Sequence, residues 1–199
     1  MLNKTILACC SIIMAMPLFT TPQSKPIHGQ ALIFEKDGLS ACGFQTIHGV
    51  YTADHVSIID GTLRSASIDI QLLRAVFKDV KSFTIGTGKP THFRTRRGKR
   101  IRLDVTDSNA VYWTTKQRFF GGESGLPVFD SDDNVVGVVT GCIKRTGTIK
   151  WFGTVAKISK FNETFSDELK SKPTYPDSPG ILVEPRSSKL SNSDQVGGS

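Results

Sequence analysis

The run Gly121-Gly122-Glu123-Ser124-Gly125-Leu126-Pro127-Val128-Phe129 sets a serine between glycines and follows it with apolar residues around a proline. A turn over residues 130–134 then leads into Val135-Val136-Gly137-Val138-Val139, the pattern of a buried strand. Acyl-transfer chemistry has a use for each part. A nucleophilic hydroxyl needs backbone that lets a substrate come close, and Gly122 and Gly125 remove the Cβ atoms in the way. If the turn aims the N–H groups of Gly122 and Ser124 at one point, they form an oxyanion hole beside the hydroxyl. Plain Gly-rich hairpins also carry Gly-x-Ser-Gly, so the reading needs partners elsewhere in the chain.

The first partner is upstream. Gly49-Val50-Tyr51-Thr52-Ala53-Asp54-His55-Val56 reads as a strand that ends on a histidine. A serine is a weak nucleophile until a neighbouring imidazole takes its proton. His55 and Ser124 are far apart in sequence, so only a fold can bring them together.

With histidine before serine, Thr52-Ala53-Asp54-His55 and Gly122-Glu123-Ser124-Gly125-Leu126-Pro127 resemble two motifs of the chymotrypsin-like serine proteases. Those are Thr-Ala-x-His and Gly-x-Ser-Gly-x-Pro, and the family order is His, Asp, Ser. The resemblance implies an all-β fold of two packed six-stranded antiparallel barrels with a short C-terminal helix and the site in the crevice between barrels. It also implies a serine endopeptidase that needs no cofactor beyond, at most, a protein chain completing the first barrel. Such lean barrels resemble the proteases of positive-strand RNA viruses, flavivirus and pestivirus types among them. The substrate would then be a polypeptide, its own polyprotein included. The rival expectation is an idle barrel that binds protein or nucleic acid.

The third member of a triad must be a carboxylate that holds the imidazole tautomer. Between His55 and Ser124 stand Asp60, Asp69, Asp79, Asp104 and Asp107. The family places this aspartate at the start of an apolar strand, which fits Asp69 and Asp79 alike. Asp69 follows His55 so closely that little chain is left for intervening strands. The stretch Arg74–Phe83 also resembles the corresponding part of flavivirus proteases. Asp79 is therefore the preferred acid and Asp69 the alternative. Asp54, directly before His55, departs from the family's small residue and would raise the imidazole pKa slightly.

The same resemblance puts Arg118, six before the serine, near the floor of the substrate pocket, with Val139, Thr140 and Gly141 in its wall. Arg118 would select an acidic side chain or point to solvent. No histidine follows Ser124 to read glutamine or glutamate, and no aspartate stands at the floor to attract a basic residue.

The chain of 199 residues suits one domain with tails. Residues 1–24 carry Lys4 and an apolar run over 5–19, the pattern of a signal peptide or membrane-anchor segment. The first implies export or secretion, the second membrane association, in a host cell if the chain is viral. The expected protease domain spans 25–172, with barrel one over about 27–88 and barrel two over about 89–160. Its strands are expected at 31–34, 42–47, 49–52, 68–77, 80–85, 101–105, 110–113, 128–129, 135–142 and 148–155, with turn residues between. An amphipathic helix is expected over 157–170. Residues 173–199, rich in Pro and Ser, lack the apolar content to order themselves and read as a disordered tail or linker.

Lys and Arg number 25 against 18 Asp and Glu, a balance that permits an acidic partner or membrane surface. Arg94, Arg96, Arg97, Lys99, Arg100 and Arg102 gather around Gly98 as a basic hairpin. A solvated face is the leading expectation there, and contact with nucleic acid or anionic lipid the lesser one. Of the four cysteines, Cys9 and Cys10 sit in the apolar run. Cys42 and Cys142 read as separate buried thiols, with pairing open to an exported chain. No spacing suggests a metal site.

Overall fold

Short runs, many rich in β-branched and aromatic residues, fold as strands separated by turns. The computed structural model describes residues 32–36, 39–56, 63–147 and 149–175. The first five strands are β1 (Leu32–Lys36), β2 (Leu39–Thr46), β3 (Gly49–Thr52), β4 (Leu63–Ser65) and β5 (Ile70–Leu73). They pair antiparallel in the order β1-β2-β3-β5-β4. The next seven are β6 (His92–Arg94), β7 (Arg100–Arg102), β8 (Val105–Ser108), β9 (Tyr112–Thr115), β10 (Pro127–Phe129), β11 (Val135–Lys144) and β12 (Trp151–Lys157). Their order is β7-β6-β10-β11-β12-β9-β8, again antiparallel. Two short helices, α1 (Ile158–Thr164) and α2 (Ser166–Leu169), follow.

The chain is predominantly β. Its sheets have five and seven strands rather than six each, and neither closes into a barrel among the described residues. The difference has a local cause. The run expected to be strand over 68–77 is cut by a turn through Asp69, whose φ is 56°, and by an end at Leu73. The run over 80–85 contributes only single bridges, Phe83 to Thr46 and Ile85 to Val135. Conversely, β4 and β6 are three residues long, too short for alternation to reveal.

The main core lies between the sheets. Phe44, Tyr51, Ile70 and Leu72 of the first meet Phe129, Val135 and Val138 of the second, with Ile158 and Phe161 of α1 packed on both. Tyr51 stacks on Phe44 at 5.7 Å and meets the edge of Phe161 at 5.9 Å, while its hydroxyl donates to Asn162 Oδ1 at 2.9 Å. Burying a ring such as Phe161 stabilises by about 1.5–3 kcal/mol, enough to seat a seven-residue helix that would not form alone. A second cluster gathers Phe93, Phe119, Leu126 and Val139 with Cys42 of β2.

The single helix expected over 157–170 breaks at Phe165, where φ is −113° and ψ 31°. Residues 173–175 of the expected tail are described and pair with the 74–76 strip. Val76 N–H donates to Thr174 O, and Thr174 N–H to Arg74 O, each at 2.9 Å, so backbone pairing rather than apolar content holds this strip. The apolar run over 5–19 and residues 176–199 lie outside the described residues. No helix among those described is long and apolar enough to cross a membrane.

Candidate active site

Three loops build the site, two from the first sheet and one from the second. β3 runs out into a single 3-10 turn, Asp54–Val56, which presents His55. The β4–β5 hairpin turns through Asp69 beside it. The loop before β10 carries Ser124. His55 Nε2 lies 3.0 Å from Ser124 Oγ, and its Nδ1 lies 2.8 Å from Asp69 Oδ2 and 3.0 Å from Oδ1. Asp69 Oδ1 also accepts the His55 backbone N–H at 2.9 Å, and Asp54 N–H donates to Asp69 O at 3.2 Å. The carboxylate thus grips both the ring and the backbone of its histidine.

Asp69, not Asp79, therefore stands against the imidazole. Asp79 lies exposed in the turn after Phe77, and both nitrogens of His55 are engaged elsewhere. Spacing misled because, among the described residues, the segment between His55 and Asp69 supplies one three-residue strand, β4, before the chain doubles back. The His55 pKa is raised, first by the hydrogen bond to Asp69, against partial desolvation, with the charges of Asp69 and then Asp54 adding to it. Asp54 itself is buried and paired with Arg64 Nε at 2.7 Å.

Phe120-Gly121-Gly122-Glu123 forms a β-turn closed by Glu123 N–H to Phe120 O at 3.0 Å, with Gly122 at φ +82°. That is the geometry of a type II turn, which needs glycine at its third position. The Glu123 carboxylate closes the turn from the other side, accepting the Phe120 N–H at 2.8 Å. Gly125 N–H donates to Val139 O at 2.8 Å, and Ser124 O accepts the Cys42 N–H at 2.8 Å. The N–H groups of Gly122 and Ser124 donate to nothing among the described residues. Among the described residues the two N–H groups expected for an oxyanion hole are thus unused, as is that of Gly121.

Gly125 fixes the serine. Its φ is +90°, and a Cβ there would stand 1.7 Å from Cys42 O and 2.6 Å from Thr52 Oγ1. Gly125→Ala is expected to destabilise the fold by on the order of 3 kcal/mol through strain and overpacking. Gly121→Ala, where nothing lies within 4 Å, should be near neutral. Chemical denaturation of the two variants checks the contrast, and equal midpoints would contradict it.

A cleft of about 380 Å³ opens beside Asp69, lined by Thr140, Cys142, Ile143, Thr154, Thr114 and Tyr112 among others. Of the expected wall residues, Thr140 lines it; Val139 is fully buried, and Gly141 sits at a bulge with open space where a Cβ would be. Arg118 is not at a pocket floor. It is exposed, with its guanidinium 5.7 Å from each of the Phe120 and Trp151 ring centres. A permanent charge there keeps its hydration and gains two aromatic faces, which a desolvated floor would deny it.

Four of the six cations in the basic hairpin face protein groups. Arg94 and Arg100 face Asp133, Arg102 faces Asp104, and Arg96 reaches Gly122 O in the Phe120–Glu123 turn. Cys42 and Cys142 are separate free thiols, the first buried and the second half-buried. Among the described residues no group of three or more His, Cys, Asp or Glu side chains could hold a metal ion. No protein-family model matches the chain, and no curated protein does.

Proposed function

We propose that this chain is a serine endopeptidase. Ser124 Oγ attacks the scissile carbonyl, His55 Nε2 takes the hydroxyl proton, and the oxyanion settles on the N–H groups of Gly122 and Ser124. His55 then gives the proton to the departing amine, and water releases the acyl group through the same steps in reverse. Asp69 keeps the proton of the neutral imidazole on Nδ1, so that Nε2 carries the lone pair. The observation that carries this reading is the hydrogen-bonded line from Asp69 through His55 to Ser124, with two free N–H groups in the adjoining turn.

The class this defines is the chymotrypsin-like serine protease. Within it, the short strands and connections suit the compact proteases of positive-strand RNA viruses, and the substrate is a polypeptide, its own polyprotein included. The pairing of β11 supports a peptide ligand. β10 leaves β11 at Val138, so Thr140–Lys144 has no strand on that side among the described residues, and an extended peptide could pair there. The apolar run over 5–19 would hold such an enzyme at a membrane.

A fluorophosphonate probe tests the reading. Attack by Ser124 Oγ forms an O–P bond and expels fluoride, so folded protein should gain one label, mapped to Ser124. Because His55 must be neutral to act as base and its pKa is raised, the labelling rate should climb with pH and reach half its plateau above the ordinary 6.5. Folded protein that stays unlabelled, or labels at another residue, would leave the idle binding module as the better account.

A further inference from the structure

The peptide between Gly122 and Glu123 lies between the two oxyanion donors, so whatever holds it sets their spacing. Its N–H is tied to Phe120 O within the turn. Its carbonyl accepts from three donor atoms on two residues distant in sequence, Arg96 of the β6–β7 loop and Cys42 of β2. Arg96 Nε donates to it at 3.0 Å, the second Arg96 nitrogen donates as well, and the Cys42 thiol donates at 3.3 Å. Burial pushes the Cys42 thiol up to about 11, so it keeps the proton it donates. Arg96 also donates to Ser40 Oγ at 2.7 Å, which binds the guanidinium to β2 as well as to the turn.

The hairpin is shaped to deliver this side chain. Thr95 N–H bonds Lys99 O and Gly98 N–H bonds Thr95 O, with Gly98 at φ +78°, the three-residue connection in which a type I turn is followed by a left-handed glycine. Arg96 occupies the first loop position and is partly buried. A Cβ on Gly122 would stand 2.2 Å from its guanidinium, so a side chain there would displace the arginine from its present place. With Gly121 and Gly122 adjacent, the turn has little stiffness of its own.

We propose that Arg96 is a positioning residue for the oxyanion hole, holding the Gly122 carbonyl so that the Gly122 and Ser124 N–H groups stay aimed at the reacting carbonyl. The proposal rests on the endopeptidase reading. It assigns Arg96 no contact with substrate and separates it from the rest of the basic run. Misplacing preorganised donors by a fraction of an ångström weakens the transition state far more than the bound ground state.

Arg96→Met keeps the stem and removes the forked donor. It is expected to lower kcat for peptide or activated-ester hydrolysis by about 10²-fold with KM within about 3-fold, the scale of losing one oxyanion donor. A peptide boronate, whose tetrahedral adduct uses the hole, should lose affinity about as much as kcat falls, whereas the pH midpoint of activity, which reports His55, should stay put. Arg96→Lys, with a single donor point, should fall between, and it provides the readout if the methionine variant does not fold. Arg97→Met, one residue along, should match wild type. A wild-type kcat in either Arg96 variant, or a loss confined to KM, overturns the proposal. Failure of wild-type protein to label at Ser124 overturns the endopeptidase reading instead, so the two failures are distinguishable.

Discussion

Replacing Ser124 by alanine is expected to lower kcat by about 10⁶-fold, the scale on which a serine protease loses turnover with its nucleophile, and to leave the fold intact. The two halves of that expectation come from different parts of the same residue. Its Oγ meets only the His55 imidazole, which is about half exposed at 48 %, so its removal strands no buried partner. Its backbone carbonyl, which accepts the Cys42 N–H and ties the loop to β2, is untouched. The lost hydrogen bond contributes about 1 kcal/mol at most, and a chain of this size shifts its midpoint by about 2–4 °C per kcal/mol. Hydrolysis of a peptide library by both proteins, with thermal melts alongside, makes the check. Turnover in Ser124→Ala within tenfold of wild type would end the acyl-enzyme mechanism. A collapse of the melt would instead assign Ser124 a structural role that its contacts do not support.

Ser124 and His55, the proposed nucleophile and base, stood out in the sequence because each sits in a motif whose requirement is local. A glycine is demanded where backbone must pass close, and Gly125 meets that demand against Cys42 O. Apolar runs bounded by turn residues likewise revealed β3 and β11, which are fully buried or long. What was hidden depends on pairs distant in sequence. The counterpart of His55 was hidden by a distance estimate that assumed full-length strands, whereas β4 has three residues. Arg96 was hidden among five neighbouring cations because composition treats a basic run as one patch, while the hairpin turn gives each member a different direction. Arg118 illustrates the reverse error. Its place was inferred by counting back from Ser124, and counting carries no information about which way a side chain faces once Phe119 turns inward and Phe120 outward.

The two aspartates are separated by a matched pair of substitutions. Asp69→Asn should lower kcat by about 10⁴-fold, the scale on which a chymotrypsin-like protease loses turnover with its triad carboxylate, and Asp79→Asn should change it by less than about twofold. Asparagine is the right probe because Asp69 sits at φ 56°, a left-handed conformation that asparagine tolerates and alanine resists. The backbone can therefore stay while the chemistry changes. The carboxamide oxygen can still accept the His55 backbone N–H, which leaves its NH2 facing Nδ1. A donor there forces the ring to carry its hydrogen on Nε2, and an Nε2–H cannot accept the Ser124 proton. The same substitution removes the hydrogen bond and charge that raise the His55 pKa, so protonated His55 should become rarer at a given pH while activity still falls. NMR titration of the ring sees the first effect and kinetics the second. A fall in pKa with unchanged kcat would show that Asp69 tunes the imidazole without orienting it. A large loss in Asp79→Asn beside a silent Asp69→Asn would return the role to the turn after Phe77.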